Sequence, residues 1–229
     1  MSNQSRKNKK IWQWSIGIIF ALLVISFFVS YKTKKDELNP EEIAQVQVSQ
    51  PTRHLKGNAE SGITLVEYSD FQCPACSAAE PQIQQLVDDF GDKFQLEYRS
   101  FPLRQIHPNA QIGAQAAEAA GMQGKFWEMH DKLFENQKEW SESFNPKKYL
   151  KKYAQEIGIN EKRFLSDLES DTVKKVVNDQ YDEAMKIGLP GTPSFVFEGK
   201  QIDVNDFINT YLMNKKEEGK KVVDEKKAS

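Results

Sequence analysis

The chain has little cysteine: two in 229 residues, Cys73 and Cys76. A stapled framework of several disulfides is therefore excluded. Histidine is nearly as scarce. His54, His107 and His130 are far apart in sequence, without the short His spacing or second Cys pair that structural zinc uses, so no metal site is expected. Basic charge is not in excess either. Lys and Arg number 31 against 33 Asp and Glu, and Arg6, Lys7, Lys9 and Lys10 all fall in the first ten residues. The rest of the chain is acidic, which argues against a nucleic-acid partner. No internal repeat is visible.

What is present centres on the two cysteines. They sit in Phe71-Gln72-Cys73-Pro74-Ala75-Cys76, directly after the apolar run Ile63–Tyr68. A strand leading into Cys-Pro-x-Cys and then a helix makes a thiol reactive, because unpaired N–H groups and the helix dipole favour a thiolate at the N-terminus. The second sulfur lies one turn along, able to attack a mixed disulfide formed by the first. The alternatives are a metal site, which lacks its further ligands, and an isolated structural bridge. A bridge closing so short a loop removes little unfolded-state entropy. Redox chemistry is the favoured reading, with Cys73 expected exposed and Cys76 shielded.

The N-terminus suggests a membrane. Residues 1–10 form a basic tail, and Ile11–Tyr31 runs for 21 residues without a charge, enough to span the ~30 Å hydrocarbon core. Trp12, Trp14 and Tyr31 fall at its two ends, where amphipathic rings favour the headgroup region. A cleaved signal peptide is the alternative. The length of the run and the lack of an Ala-x-Ala site after it favour an uncleaved anchor. The expected topology is a cytoplasmic tail and an extracytoplasmic domain, since a dithiol on a membrane suits an oxidising compartment.

Residues 32–45 read as a polar linker, and Gln45-Val46-Gln47-Val48 alternates like an edge strand. Strands are expected at Ile63–Tyr68 and Phe94–Tyr98. Between them, Ile83, Leu86, Val87 and Phe90 mark an amphipathic helix that Pro81 should kink. From about residue 107 to 188 every periodic segment is helical. Pro108 suits a first helical position, and Ala110, Ala114, Ala117 and Ala120 give that helix a thin face. Pro193–Phe197 returns to strand, Glu198-Gly199-Lys200 reads as a hairpin turn, and Phe207, Ile208, Tyr211 and Leu212 mark a closing helix. The expected fold is an α/β sheet layered by helices, with a helical domain inserted after the third strand. A charged tail fills 214–229.

Val66–Cys76 resembles the active-site segment of the DsbA-like thioredoxin-fold disulfide oxidoreductases. So do Phe101-Pro102-Leu103, His107-Pro108-Asn109-Ala110, Gln123–Asp131 and Gly191-Thr192-Pro193-Ser194-Phe195. The resemblance covers about 46–213, and five segments in order are far more specific than Cys-x-x-Cys alone. With its anchor the chain is similar to membrane-bound bacterial forms. The resemblance implies a thioredoxin-like fold, Cys73 as nucleophile and Cys76 as resolving thiol. It also implies a buried Glu67 that exchanges protons with Cys76. Strand alternation alone would leave Glu67 facing solvent. Pro193 would be a cis-proline packed against the disulfide. The Thr192 backbone would offer hydrogen bonds to an extended substrate, beside Pro74 and Ala75. The implied partners are reduced secreted proteins and a quinone-linked membrane reoxidase, with no cofactor. A reductase or isomerase, or a peptide-binding holdase, remains open. His107 and His130 are read as structural. Pro74-Ala75 lacks the histidine of the strongly oxidising prototype, so redox poise does not transfer, and Ile202-Asp203 stands where the family often has glycine.

Overall fold

The computed structural model describes residues 54–213. The apolar span 11–31, the linker 32–45, the alternating stretch Gln45–Val48 and the tail 214–229 lie outside them. No helix among the described residues is long and apolar enough to cross a membrane.

Five strands form one mixed sheet: β1 (Leu55–Gly57), β2 (Thr64–Ser69), β3 (Gln95–Ser100), β4 (Ser194–Phe197) and β5 (Lys200–Ile202), in the order β1-β3-β2-β4-β5. β2 and β3 are parallel, as a helical crossover between them requires. The other pairings are antiparallel. β1 falls in a stretch with little strand patterning; it is three residues long and only extends the sheet past β3. The β4–β5 hairpin turns at Glu198-Gly199, both with positive φ (49° and 75°), the combination that a two-residue turn matched to strand twist demands.

Helix α1 (Pro74–Phe90) follows β2, with Pro74 at its first turn, where a missing N–H costs nothing. It runs through Pro81 as one continuous helix. After β3 come α2 (Ala110–Gly121), α3 (Phe126–Glu135), α4 (Gln137–Ser141), α5 (Pro146–Glu156), α6 (Glu161–Leu168) and α7 (Asp171–Ile187). α2 begins at Ala110, not at Pro108, whose place is in the preceding turn. The closing segment is a short α8 (Val204–Phe207) continued by a π turn over Ile208–Met213. Asp203 caps it, its carboxylate accepting from the Asn205 and Asp206 N–H groups.

Small residues on α2 do what the alanine spacing foretold. Ala114, Ala117 and Ala120 are buried, and at Gly113 even a Cβ would come within 2.5 Å of the Trp140 ring. Trp140 on α4 is wholly buried and donates its ring N–H to the Leu133 carbonyl at 2.8 Å. Cys73 and Cys76 belong to the same packed cluster as this helical layer, through Phe71 and Tyr98.

Candidate active site

Cys73 caps α1 with an extended backbone (φ −70°, ψ 122°), and its N–H donates to the Asp70 carbonyl at 3.0 Å. The two sulfurs are unbonded. Cys73 is only 6% exposed against 1% for Cys76, so the nucleophile is less open than the sequence suggests. The Thr192–Pro193 loop comes down on it: the bond between those residues is cis, and the Thr192 carbonyl accepts from Cys73 Sγ at 3.6 Å. Pro74 and Ala75 are exposed, leaving the rim of the site free.

The two thiols have opposite acidities. A hydrogen bond from Cys76, with others from the Cys76 and Ala75 backbone N–H groups at the helix start, lowers Cys73 to about 5 against the burial that opposes it. The same contact with Cys73, together with burial, pushes Cys76 far up. One sulfur is a ready thiolate, and the other holds its proton.

Glu67 is 1% exposed, and its Oε1 meets no hydrogen-bond donor. Burial raises it to about 7, with the Ser69 hydroxyl and the Lys56 charge pulling partly back. Alternation misleads at this position because β2 is covered on both faces, so no strand position there points at solvent. Glu67 faces a narrow, closed crevice that it shares with Lys56, Glu80, Gln84, Trp127 and His130 and with the apolar Ile83, Val87 and Leu96. Burial and the Glu67 charge raise Glu80 to about 8. Sequence reasoning missed Glu80, yet its signal was present: it follows Cys76 by four residues on α1 and so shares that helix face. Lys56, on the unforeseen β1, donates to Gln84 Oε1 at 3.0 Å and lies 4.3 Å over the Trp127 ring.

His130 is 1% exposed and packed among Phe71, Tyr98, Trp127 and Phe134. Burial holds it below its usual value despite Asp131. Glu80, His130 and Asp131 bring ligand atoms within 4.8 Å of one another. They do not make a cation cage, because Asp131 meets Nδ1 and Glu80 meets Nε2, on opposite edges of the ring. The Lys56 ammonium also lines that pocket.

The turn before Cys73 is clamped from two sides. The Asp70 carboxylate, with a fully buried side chain, accepts from the Gln72 N–H (2.8 Å) and the Leu103 N–H (2.9 Å), and meets His107 Nδ1 at 2.7 Å. The Gln137 amide donates to the Phe71 and Cys73 carbonyls, each at 2.9 Å. These contacts give His107 the structural place expected of it and explain why α4 exists beside the site.

Comparisons with known proteins agree with this geometry. The chain is 31% identical to a thioredoxin-like oxidoreductase from Silicibacter pomeroyi DSS-3, covering 65% of this chain and 81% of that one with a TM-score of 0.55. Two structures below 25% identity share the fold. They are the thiol-disulfide exchange protein alpha-DsbA2 from Wolbachia pipientis (21%, 69% and 84% coverage, TM-score 0.59) and BdbD from Bacillus subtilis (23%, 67% and 84%, TM-score 0.58). Among curated proteins, a Na(+)/H(+) antiporter NhaA 1 of Salinispora arenicola is 38% identical over 68% of this chain. One of Mycolicibacterium vanbaalenii is 34% identical over 87% of it. The chain spans only 23% and 32% of those two proteins. The thioredoxin family itself matches residues 49–213, and the chain belongs to that family.

Proposed function

We propose that this protein is a membrane-anchored, extracytoplasmic thiol–disulfide oxidoreductase that forms disulfides in secreted or cell-envelope proteins. In its oxidised form, a substrate thiolate attacks Cys73 Sγ and breaks the Cys73–Cys76 bond. The leaving Cys76 sulfur takes up a proton, and Glu67 is the buried acid able to supply it. A second substrate thiolate then attacks the substrate sulfur of the mixed disulfide. The product disulfide leaves with the Cys73 thiolate, so two electrons pass from substrate to protein. A quinone-linked membrane partner would return the pair to the disulfide.

What supports the oxidising direction is the placement of Cys73 at the N-terminus of α1, where the Cys76 hydrogen bond and the first N–H groups of the helix hold its pKa down to about 5. A thiolate stabilised in the reduced form leaves the disulfide relatively unstable, and hence oxidising. The test is stability in both redox states. The reduced protein should resist urea better than the disulfide form at pH 7, and alkylation of Cys73 should be half-maximal near pH 5. A disulfide form that is the more stable of the two would instead make the protein a reductase.

A further inference from the structure

Among the described residues, eight buried side-chain polar atoms meet no hydrogen-bond partner. Four of them fall on one patch of the sheet: Glu67 Oε1, Ser69 Oγ, Tyr98 Oη and Ser100 Oγ. The strand register explains why. Glu67 and Ser69 are two apart on β2 and so share a face. In the parallel pairing Glu67 stands opposite Tyr98 of β3, and Ser69 opposite Ser100. Leu65 and Leu96, two residues before Glu67 and Tyr98, pack in one cluster with Ile83 and Leu86 of α1. The patch therefore faces the helix that carries Cys76. A packed interior rarely leaves even one polar oxygen unmatched, and each such group is costly in a resting structure.

Ser69 is the hub of this patch. Burial raises Glu67, and it raises Tyr98 well above its usual value; the contact with Cys73, and then burial, push Cys76 up. In all three the Ser69 hydroxyl works the other way, favouring the deprotonated form. It lies near enough to act on both Glu67 and Cys76, yet is aligned in a hydrogen bond with neither. The other titratable groups around Glu67 are Lys56 of β1, Glu80 of α1 and His130 of α3. They share a crevice with Glu67 that neither Ser69 nor Cys76 lines. Glu67 thus belongs to both the crevice and the patch, and within the patch Ser69 is the side chain that also acts on the sulfur. A hydroxyl donates and accepts at once, so it can take a proton from one neighbour while giving its own to the other.

We propose that the Ser69 hydroxyl is the proton relay between the Glu67 carboxyl and the Cys76 sulfur. This rests on thiol–disulfide exchange at Cys73, in either direction. When a substrate thiolate attacks Cys73 Sγ, the disulfide breaks and Cys76 leaves with the electron pair. The Ser69 O–H gives its proton to that sulfur while its oxygen takes one from the Glu67 carboxyl. The products are a Cys76 thiol, a Glu67 carboxylate and an unchanged serine, so one proton has moved and charge balances. In the reverse step the Glu67 carboxylate takes a proton from Ser69, and Ser69 takes one from the Cys76 thiol. The Cys76 thiolate then attacks Cys73 Sγ of the mixed disulfide and releases the substrate thiolate. At no point does Ser69 carry a charge, which burial would make costly.

The experiment uses the full-length protein in detergent, as wild type, Ser69→Ala, Ser69→Thr, Glu67→Gln and the double variant Glu67→Gln/Ser69→Ala. Reduced protein is mixed with glutathione disulfide. Capture of glutathione at Cys73 and its release by Cys76 are followed by acid quench and mass spectrometry, across neutral pH, in water and in deuterium oxide. Wild-type release should slow in deuterium oxide and inflect near pH 7, where Glu67 titrates. Ser69→Ala should slow release by about tenfold or more, part of the hundredfold that a positioned proton-transfer group supplies, and lose that inflection. Ser69→Thr, which keeps the hydroxyl, should restore most of the rate. The double variant should be no slower than the slower single one, as for two members of one path. Capture calls on Cys73 alone and should not change. Ser69→Ala removes an oxygen already without a partner, so the urea midpoint should not fall. Wild-type release in Ser69→Ala, a Ser69→Thr as slow as Ser69→Ala, or single effects that multiply in the double variant would overturn the proposal. An equal slowing of capture and release would mark Ser69 as packing and overturn it too. Wild type that releases glutathione with no solvent isotope effect defeats the relay alone; wild type that captures none at Cys73 defeats the exchange reading as well.

Discussion

The two faces of the central sheet both bury carboxylates, and they treat them in opposite ways. On the face toward α7, Glu97 (3% exposed) meets the Arg99 guanidinium at 2.6 Å, and the same guanidinium pairs with Glu183 of α7. On the face toward α1 and α3, Glu67 is buried just as deeply with no guanidinium, only the Lys56 charge, which lowers its pKa slightly. Both carboxylates were removed from water; one was given a guanidinium as countercharge, the other only the Ser69 hydroxyl. The paired cluster ties the sheet to α7. The acid without a countercharge is raised by burial to about 7. Burial alone therefore does not mark a functional acid. Burial without a countercharge is what leaves a carboxyl able to hold its proton near neutral pH.

Removing the paired face's countercharge should have the largest effect. Arg99→Met leaves Glu97 and Glu183 without their guanidinium and should cost about 3–5 kcal/mol in urea unfolding at pH 7. The pH profile of Cys73 alkylation should be unchanged. A coupled change in that profile would break the separation between the faces.

Glu67→Gln should act with the opposite sign. Below pH 4.5 Glu67 is protonated in both folded and unfolded chains and costs nothing. Between 4.5 and about 7 the unfolded chain ionises first, so native stability falls as pH rises and levels off above that range. Glu67→Gln should remove this loss, gaining about 3 kcal/mol at pH 8 and little at pH 4. Resolution of mixed disulfides should slow at the same time, as read by their accumulation on gels. Equal stability changes at both pH values would show that Glu67 does not titrate in this window.

The smallest effect is expected from Lys56→Met. Its ammonium lowers the pKa values of both Glu67 and Glu80, so its loss should shift both carboxyl titrations upward. Infrared bands of the protonated carboxyls would follow this directly. Stability should change by less than about 1 kcal/mol, as for a partly exposed cation. A downward shift would mean that Lys56 does not face this pocket.

How far each part could be read ahead differs by the kind of signal. Helix periodicity marked α1, α2, α3, α5, α6 and α7, because each buries one stripe against a shared core. The short α4 carries too few residues for a period, and β1 too few for an alternation. Glu67 had to be taken from the resemblance, since alternation assumes one wet face and β2 has none. Cys73 was expected open and is nearly closed, because exposure depends on what the distant Thr192–Pro193 loop covers.

The sequence by itself determined the local chemistry: a Cys-Pro-x-Cys helix start, a thiol pair with no competing cysteine, and a helical insertion between two runs of strand. Those follow from neighbours within a few residues. The tertiary structure alone decided which buried acid has a countercharge, that Glu80, Lys56 and His130 gather around Glu67, and that the Thr192–Pro193 loop closes on Cys73. These depend on residues far apart in the chain, such as the 84 positions between Arg99 and Glu183 and the 119 between Cys73 and Thr192. Burial and hydrogen-bond partnership are properties of the packed whole, and no local pattern encodes them.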